Sequence, residues 1–237
     1  MDGLHWEYAG ELAACGRRLA DAGLFFACWG NLSVRVPPGD SIIITPSGMD
    51  YEGLLPADMV RLTPDGRVLT GRRRPSTETG LHLAVYRARP GVGAVIHTHS
   101  PAATACAAAR AGTHQRWAVP PLTEEMAQVL GGGVPVAAYA PPGSAELGEK
   151  AVAALGTGQA VLLANHGVLG TGADLAGASL VVRLVERAAL MYLLALRAGG
   201  PCELSPAEVA NLRAQYAGYG QGPLGEGESP VGNRTDQ

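Results

Sequence analysis

The sequence is short of charge: Asp, Glu, Lys and Arg make up 16% of its 237 residues, and the formal net charge is only −3. That balance excludes a protein held to nucleic acid or to an anionic membrane by bulk charge. Cysteine is scarce too. Cys15, Cys28, Cys106 and Cys202 stand far apart with no C-x-x-C pair, which argues against a disulfide frame or zinc knuckle and for free intracellular thiols. No apolar run reaches the roughly 18–20 residues of a membrane-spanning helix. The opening MDGLHWEYAGEL lacks a basic region followed by an apolar core, so the chain is expected in the cytoplasm.

What the sequence does hold is hydrophobic residues at 47%, with 33 glycines and 17 prolines. This is the profile of a globular chain able to bury a sizeable core. Residues 5–22 read as an amphipathic helix with Leu12, Cys15 and Leu19 on one face. GNLSVRV (30–36), SIIITPSG (41–48) and RVLTG (67–71) read as short strands, the first two separated by the turn signal PPGD. TETGLHLAVYRARP (77–90) has helical composition, Ser76 as candidate N-cap and Pro90 as stop. The strand AVIHTHS follows, then a small-residue helix PAATACAAARAG. VPVAAYA (134–140) and AVLLANHG (160–167) read as strands around the helix SAELGEKAVAAL (144–155). A long helix from Ala173 ends at two glycines, and Ser205, Pro206 and Glu208 open a last one as a capping box. The pattern gives a mixed α/β fold, a sheet covered by helices, in one domain over residues 1–220. Residues 221–237 are polar and glycine-rich and are expected to form a flexible tail.

His97 and His99 end an apolar run. On a strand, residues i and i+2 face one side, so their Cβ atoms would lie about 6–7 Å apart and both rings can reach one cation. His166 ends a second apolar strand before a glycine turn. Each histidine alone is more simply a core side chain bonded to a carbonyl. Three at strand ends point to a metal, with a coordination position left open as a catalytic zinc requires. His5, His82 and His114 lack such context and are assigned surface or packing roles.

Ser76, Thr77 and Glu78 stand at a predicted helix start, where free N–H groups and hydroxyls suit a phosphate. Glu78 has two explanations there, catalysis or the preference of acids for helix N-termini. Asn31 beside Gly30, and Ser47 with Gly48, form similar turns, and the three turns together can hold one anion. Arg72, Arg73 and Arg74 would raise the local anion concentration, although such a run is usually a solvated loop.

Taken in order, GNLSVR, ITPSGMDYEGL, PSTE, HTHS and NHG resemble the class II aldolase/adducin family, and within it the fuculose phosphate aldolase branch. The resemblance spans roughly residues 5–220. It implies a mainly antiparallel central sheet between helix layers, and a homotetramer with sites between subunits. It implies a zinc ion held by His97, His99 and His166, with Glu78 as acid/base that also touches the metal when no substrate is bound. Asn31, Ser47, Gly48, Ser76 and Thr77 fall on phosphate-holding positions, and Tyr219 on a tyrosine that reaches a neighbour's site. The implied reaction is reversible cleavage of a ketose 1-phosphate, L-fuculose 1-phosphate or a 5-deoxy or otherwise modified pentulose 1-phosphate, to dihydroxyacetone phosphate and an aldehyde. A zinc-stabilised enediolate would form on the way.

The sequence departs from that branch where the family's tyrosine proton donor stands. TEEMAQVLGG places Glu125 there, as a substitute donor or simply a first-turn acid after Thr123. The same segment is similar to methylthioribulose-1-phosphate dehydratases, which nonetheless lack the S-x-E acid, while the related pentulose-phosphate 4-epimerases generally carry aspartate at the Glu78 position. A non-enzymatic interaction module of the adducin kind would have no need of the three histidines and the glutamate.

Overall fold

A computed structural model describes residues 3–37, 40–109 and 118–216. Eight strands form one sheet: β1 (Asn31–Val36), β2 (Ser41–Ile44), β3 (Val60–Leu62), β4 (Val68–Thr70), β5 (Ala94–Thr98), β6 (Val136–Ala137), β7 (Ala160–Leu163) and β8 (Gly167–Gly172). Their spatial order is β4-β3-β2-β1-β5-β8-β7-β6. Only β6 and β7 run parallel. The mixed, mainly antiparallel sheet between helix layers is therefore the fold.

Alternation along each strand decides which helices it meets. Leu32, Val34, Ile43 and Ile96 pack with α1 (Gly3–Asp21) and the start of α5 (Leu175–Arg197). Ile42, Ile44, Val60, Leu62 and Val95 pack on the other face, with α2 (Thr79–Ala88) and α4 (Ala145–Leu155). A third cluster joins α3 (Pro101–Ala108), the rest of α5 and a π-helical turn at Met126–Leu130. Each fully buried Leu or Ile contributes roughly 1.5–3 kcal/mol relative to exposure. The same parity puts Asn31 and Ser33 on the α2 side of β1, where Ser33 meets His82 of α2. Gly148 lets α4 approach α2, since a Cβ there would stand 2.9 Å from the Ala84 methyl.

Several expected boundaries move. Helix α2 starts at Thr79, later than the expected 77, because Ser76 builds its own turn first: its hydroxyl accepts the Glu78 N–H (3.2 Å) and its carbonyl the Thr79 N–H (3.1 Å). Glu78, not Ser76, takes the cap position. The strand expected over 134–140 shrinks to Val136–Ala137, set between Pro135 and Pro141, as proline has no N–H for a ladder. The glycine turn expected after His166 is the entry to β8, whose glycines allow close approach. A Cβ on Gly167 would strike the Thr98 carbonyl, and one on Gly170 the Val182 side chain. The helix α6 (Pro206–Tyr216) opens with the expected reciprocal cap, Ser205 N–H to Glu208 at 2.7 Å and Glu208 N–H to Ser205 at 3.3 Å. All four cysteines are free. Among the described residues no helix is long and apolar enough to cross a membrane.

Candidate metal centre and anion pocket

Three backbone devices bring the site together. Strands β5 and β8 are paired, with His97 opposite Leu169 and Thr98 opposite Val168, so His97, His99 and His166 stand at the same end of the sheet. Strand β1 flanks β5 on the other side, with Asn31 opposite His97. The N-terminus of α2 delivers Glu78 over both. Two glycines make the space: Gly30, at φ +98, lies where a Cβ would meet the Phe25 ring, and a Cβ on Gly167 would stand 3.2 Å from the rings of His97 and His99. Tyr51, from the MDYEGL stretch, stacks on Phe25 (4.1 Å between centroids) and donates to the Gly30 carbonyl at 2.9 Å. Asn165 takes φ +57, a left-handed conformation that asparagine tolerates and that turns the chain into His166.

The three imidazoles form a near-symmetric triangle, with ring centroids 4.8, 4.8 and 4.9 Å apart. His97 donates from Nδ1 to the Val168 carbonyl at 2.9 Å. A carbonyl only accepts, so in the neutral ring Nε2 keeps its lone pair. That lone pair lies 2.9 Å from His99 Nε2 and 3.2 Å from Glu78 Oε2, and His166 Nε2 is 3.3 Å from Glu78 Oε1. Electron-rich atoms this close call for a cation. Donors about 2.1 Å from a common centre stand about 3.0–3.4 Å from one another, which matches these distances. One ligand atom from each of the four residues fits within a 4.8 Å span. Glu78 Oε1 and His166 Nδ1 are buried without a hydrogen-bond partner among the described residues. A set of three imidazole nitrogens and one carboxylate oxygen suits zinc or another divalent transition ion.

The electrostatics keep these donors available. Burial pushes the His99 pKa down to about 4, helped by His97 and His166, and burial lowers His166 as well. Burial alone would raise Glu78, but the His97 ring beside it, the Asn31 amide and His166 outweigh it and hold the carboxyl well below the usual carboxylate range. Near neutral pH Glu78 is thus a carboxylate, and His99 and His166 offer open imidazole nitrogens.

All five expected anion positions, Asn31, Ser47, Gly48, Ser76 and Thr77, line one cleft of about 260 Å³ together with Glu78, His99 and His166. Its size is just below that of most ligand pockets, which run about 300–1,000 Å³. The loops carrying these residues are tied to each other: Ser47 N–H donates to the Arg74 carbonyl (3.0 Å) and Ser76 N–H to the Thr45 carbonyl (3.1 Å). Of the arginine run, Arg73 is engaged with Asp58 at 2.8 Å. Cys28, Trp29 and Pro142 give the cleft an apolar rim. Glu125 is elsewhere. It is exposed at the entrance to the π-helical turn, where its own N–H and the Thr123 hydroxyl lower its pKa, and it does not line the cleft. Tyr219 and His114 lie outside the described residues, as does the tail 221–237.

Sequence reasoning missed His82. It is fully buried on α2 and bonded to Asn31 and Ser33 rather than exposed or merely packed. The signal was its spacing, four residues after Glu78 on the same helical face.

Comparison with known proteins agrees with this geometry. Residues 10–193 match the family described as the Class II Aldolase and Adducin N-terminal domain. A 5-deoxy-D-ribulose 1-phosphate aldolase of Bacillus thuringiensis serovar kurstaki is 34% identical over 211 residues, covering 89% of this chain and 96% of its own. A 5-methylthioribulose-1-phosphate/5-deoxyribulose-1-phosphate aldolase of Rhodospirillum rubrum is 35% identical over 209 residues, covering 88% and 90%. A solved structure of an L-fuculose 1-phosphate aldolase superimposes with a TM-score of 0.83 at 34% identity, covering 89% of this chain and 96% of that one.

Proposed function

The chain belongs to the class II aldolase and adducin family, and from that premise we propose that it is a metal-dependent aldolase acting on a ketose 1-phosphate. The observation that carries this reading is the meeting of three imidazoles and a carboxylate in the wall of a cleft built from Ser, Thr, Gly and Asn turns. A 5-deoxypentulose 1-phosphate or L-fuculose 1-phosphate is the substrate class, as in the named relatives. The apolar rim of Cys28, Trp29 and Pro142 supports a sugar whose far end lacks a hydroxyl.

The hydroxyls of Ser47, Ser76 and Thr77, the Gly48 backbone and the Asn31 amide would hold the phosphate and fix the sugar's orientation. Orientation by such anchors lowers a barrier by up to about 7–11 kcal/mol. His97, His99 and His166 would hold the metal, with Glu78 as fourth ligand in the resting site. A bound zinc, or a comparable divalent ion, supplies Lewis acidity that stabilises the negative charge left on the three-carbon fragment when C3–C4 breaks. Glu78 would return a proton to C3 of that fragment, or remove it in the synthetic direction. A second group must take the proton of the C4 hydroxyl as the aldehyde departs. Glu125 and Tyr219 are the candidates, and Glu125, exposed and outside its own chain's cleft, would serve only across a subunit contact. A homotetramer with shared sites fits that requirement, and the exposed Trp29 at the cleft, with the exposed Phe26 stacked on it, supplies apolar surface for it. The free cysteines support a reducing, cytoplasmic setting.

Proton exchange at C3 of dihydroxyacetone phosphate in heavy water, followed by NMR with and without a chelator, tests this without knowledge of the aldehyde. Single-site, chelator-sensitive exchange is expected. No exchange by zinc-loaded protein, with or without added short aldehydes, would overturn the reading.

A further inference from the structure

Beneath Glu78 lies a polar cluster of which the mechanism above uses only Asn31. Asn31, Ser33, His82 and Tyr86 are all buried on the α2 side of β1. They form a single file: Tyr86 OH to Ser33 Oγ 2.9 Å, Ser33 Oγ to His82 Nδ1 2.6 Å, His82 Nε2 to Asn31 Oδ1 2.5 Å, Asn31 Nδ2 to Glu78 Oε2 3.0 Å. The direction of every bond follows from one end. A carboxylate only accepts, so Asn31 turns its NH2 to Glu78 and its carbonyl oxygen to His82. That oxygen only accepts, so His82 carries its hydrogen on Nε2. A ring this deeply buried, with no carboxylate in contact, stays neutral, so Nδ1 accepts from the Ser33 hydroxyl. Ser33 in turn accepts from Tyr86. Donors and acceptors match one to one along the file.

We propose that His82 is a positioning residue: its Nε2–H locks the Asn31 amide in the one orientation that presents N–H to Glu78, and so fixes which carboxylate oxygen does the chemistry. Turned over, the amide would set a carbonyl oxygen against the carboxylate and drive it off. With Oε2 anchored by Asn31, Oε1, buried with no hydrogen-bond partner among the described residues, is the oxygen left to exchange the proton at C3. The inference rests on the aldolase reading for this last step only, since the hydrogen-bond file stands without it.

The test compares two amides at one position. His82→Gln can place an N–H where Nε2–H stood, while His82→Asn reaches only the Nδ1 position; both bury an amide in place of the ring, so the cost to folding is shared. His82→Asn is expected to slow C3 exchange at saturating dihydroxyacetone phosphate by roughly 10–100-fold, with zinc per chain unchanged, and His82→Gln to recover most of it. Equal exchange rates in the two variants would overturn the proposal. A second readout needs neither substrate nor turnover. Spectra of 15N-histidine-labelled, zinc-loaded wild type should show His82 neutral with its hydrogen on Nε2; a ring protonated on Nδ1, or on both nitrogens, also overturns it. Wild type with this tautomer but no C3 exchange would remove the aldolase reading and leave the positioning of Glu78 intact.

Discussion

At the scale of single residues, the proposed reaction gives Glu78 two roles that pull apart under substitution. As a ligand it would be one of four donors, whereas as a base it would have no substitute within its own chain's cleft. Glu78→Gln is therefore expected to keep zinc, measured by metal analysis, and to slow C3 exchange by about 10²–10⁴-fold, the usual worth of a positioned acid/base. His97→Ala should behave differently. Its ring is fully buried between the Val168 carbonyl and the other donors, so its removal should lose metal and exchange together; full zinc retention in that variant would refute the ligand set. The histidine triad was legible because strand parity and strand ends suffice to bring the rings together. The choice between dipole and catalysis for Glu78 was not, because it depends on β1 and β8, segments far away in sequence. His82 was read as packing for a related reason: its partners Asn31 and Ser33 lie 51 and 49 residues away.

At the scale of elements, the turn after His99 is held from outside. Glu186 on α5 accepts the Ala102 and Ala103 N–H groups at the start of α3, at 2.9 and 2.8 Å. These are orphan donors of a helix N-terminus, and a carboxylate there is also favoured by the helix dipole. Glu186→Ala should cost about 1–3 kcal/mol by leaving them unpaired, read as a lower urea midpoint at constant slope. Sequence patterns found all six α-helices among the described residues: five have a 3.6-residue period or a cap, and α3, which has neither, is marked by its run of small residues after Pro101. They missed β3 and most of β8. A three-residue strand, Val60–Leu62, has no periodicity to detect. GVLGTG reads as a loop because its glycines speak against a strand locally, yet they are what allows β8 to lie against Thr98 and α5.

At the scale of the whole molecule, burying neutral imidazoles links folding to pH. Burial holds His82 down to about 3 and His99 to about 4, whereas in the unfolded chain each titrates near 6.5. Between those values the unfolded state binds more protons, so their stabilisation is complete above about pH 6.5 and is lost as pH falls towards 4 and 3. Metal-free protein should lose up to about 1.4 kcal/mol per pH unit from His82 alone; urea midpoints in chelator at pH 7.5, 6 and 5 check this. A midpoint independent of pH would mean that these rings are not held neutral.

The order in which β5 and β8 occur along the chain also sets when the metal site first exists. His97 and His99 leave the ribosome together, but His166 follows His99 by 166 − 99 = 67 residues. At about 5–20 residues per second that separation takes roughly 3–13 s. During that interval the growing polypeptide offers a histidine pair without its third partner, and β5 lacks the neighbour whose Val168 carbonyl fixes the His97 ring. Metal captured then would sit on an unfinished sheet edge. Productive loading of the proposed site would thus be a late event in the protein's synthesis, with the first two ligands kept unspent until the third arrives.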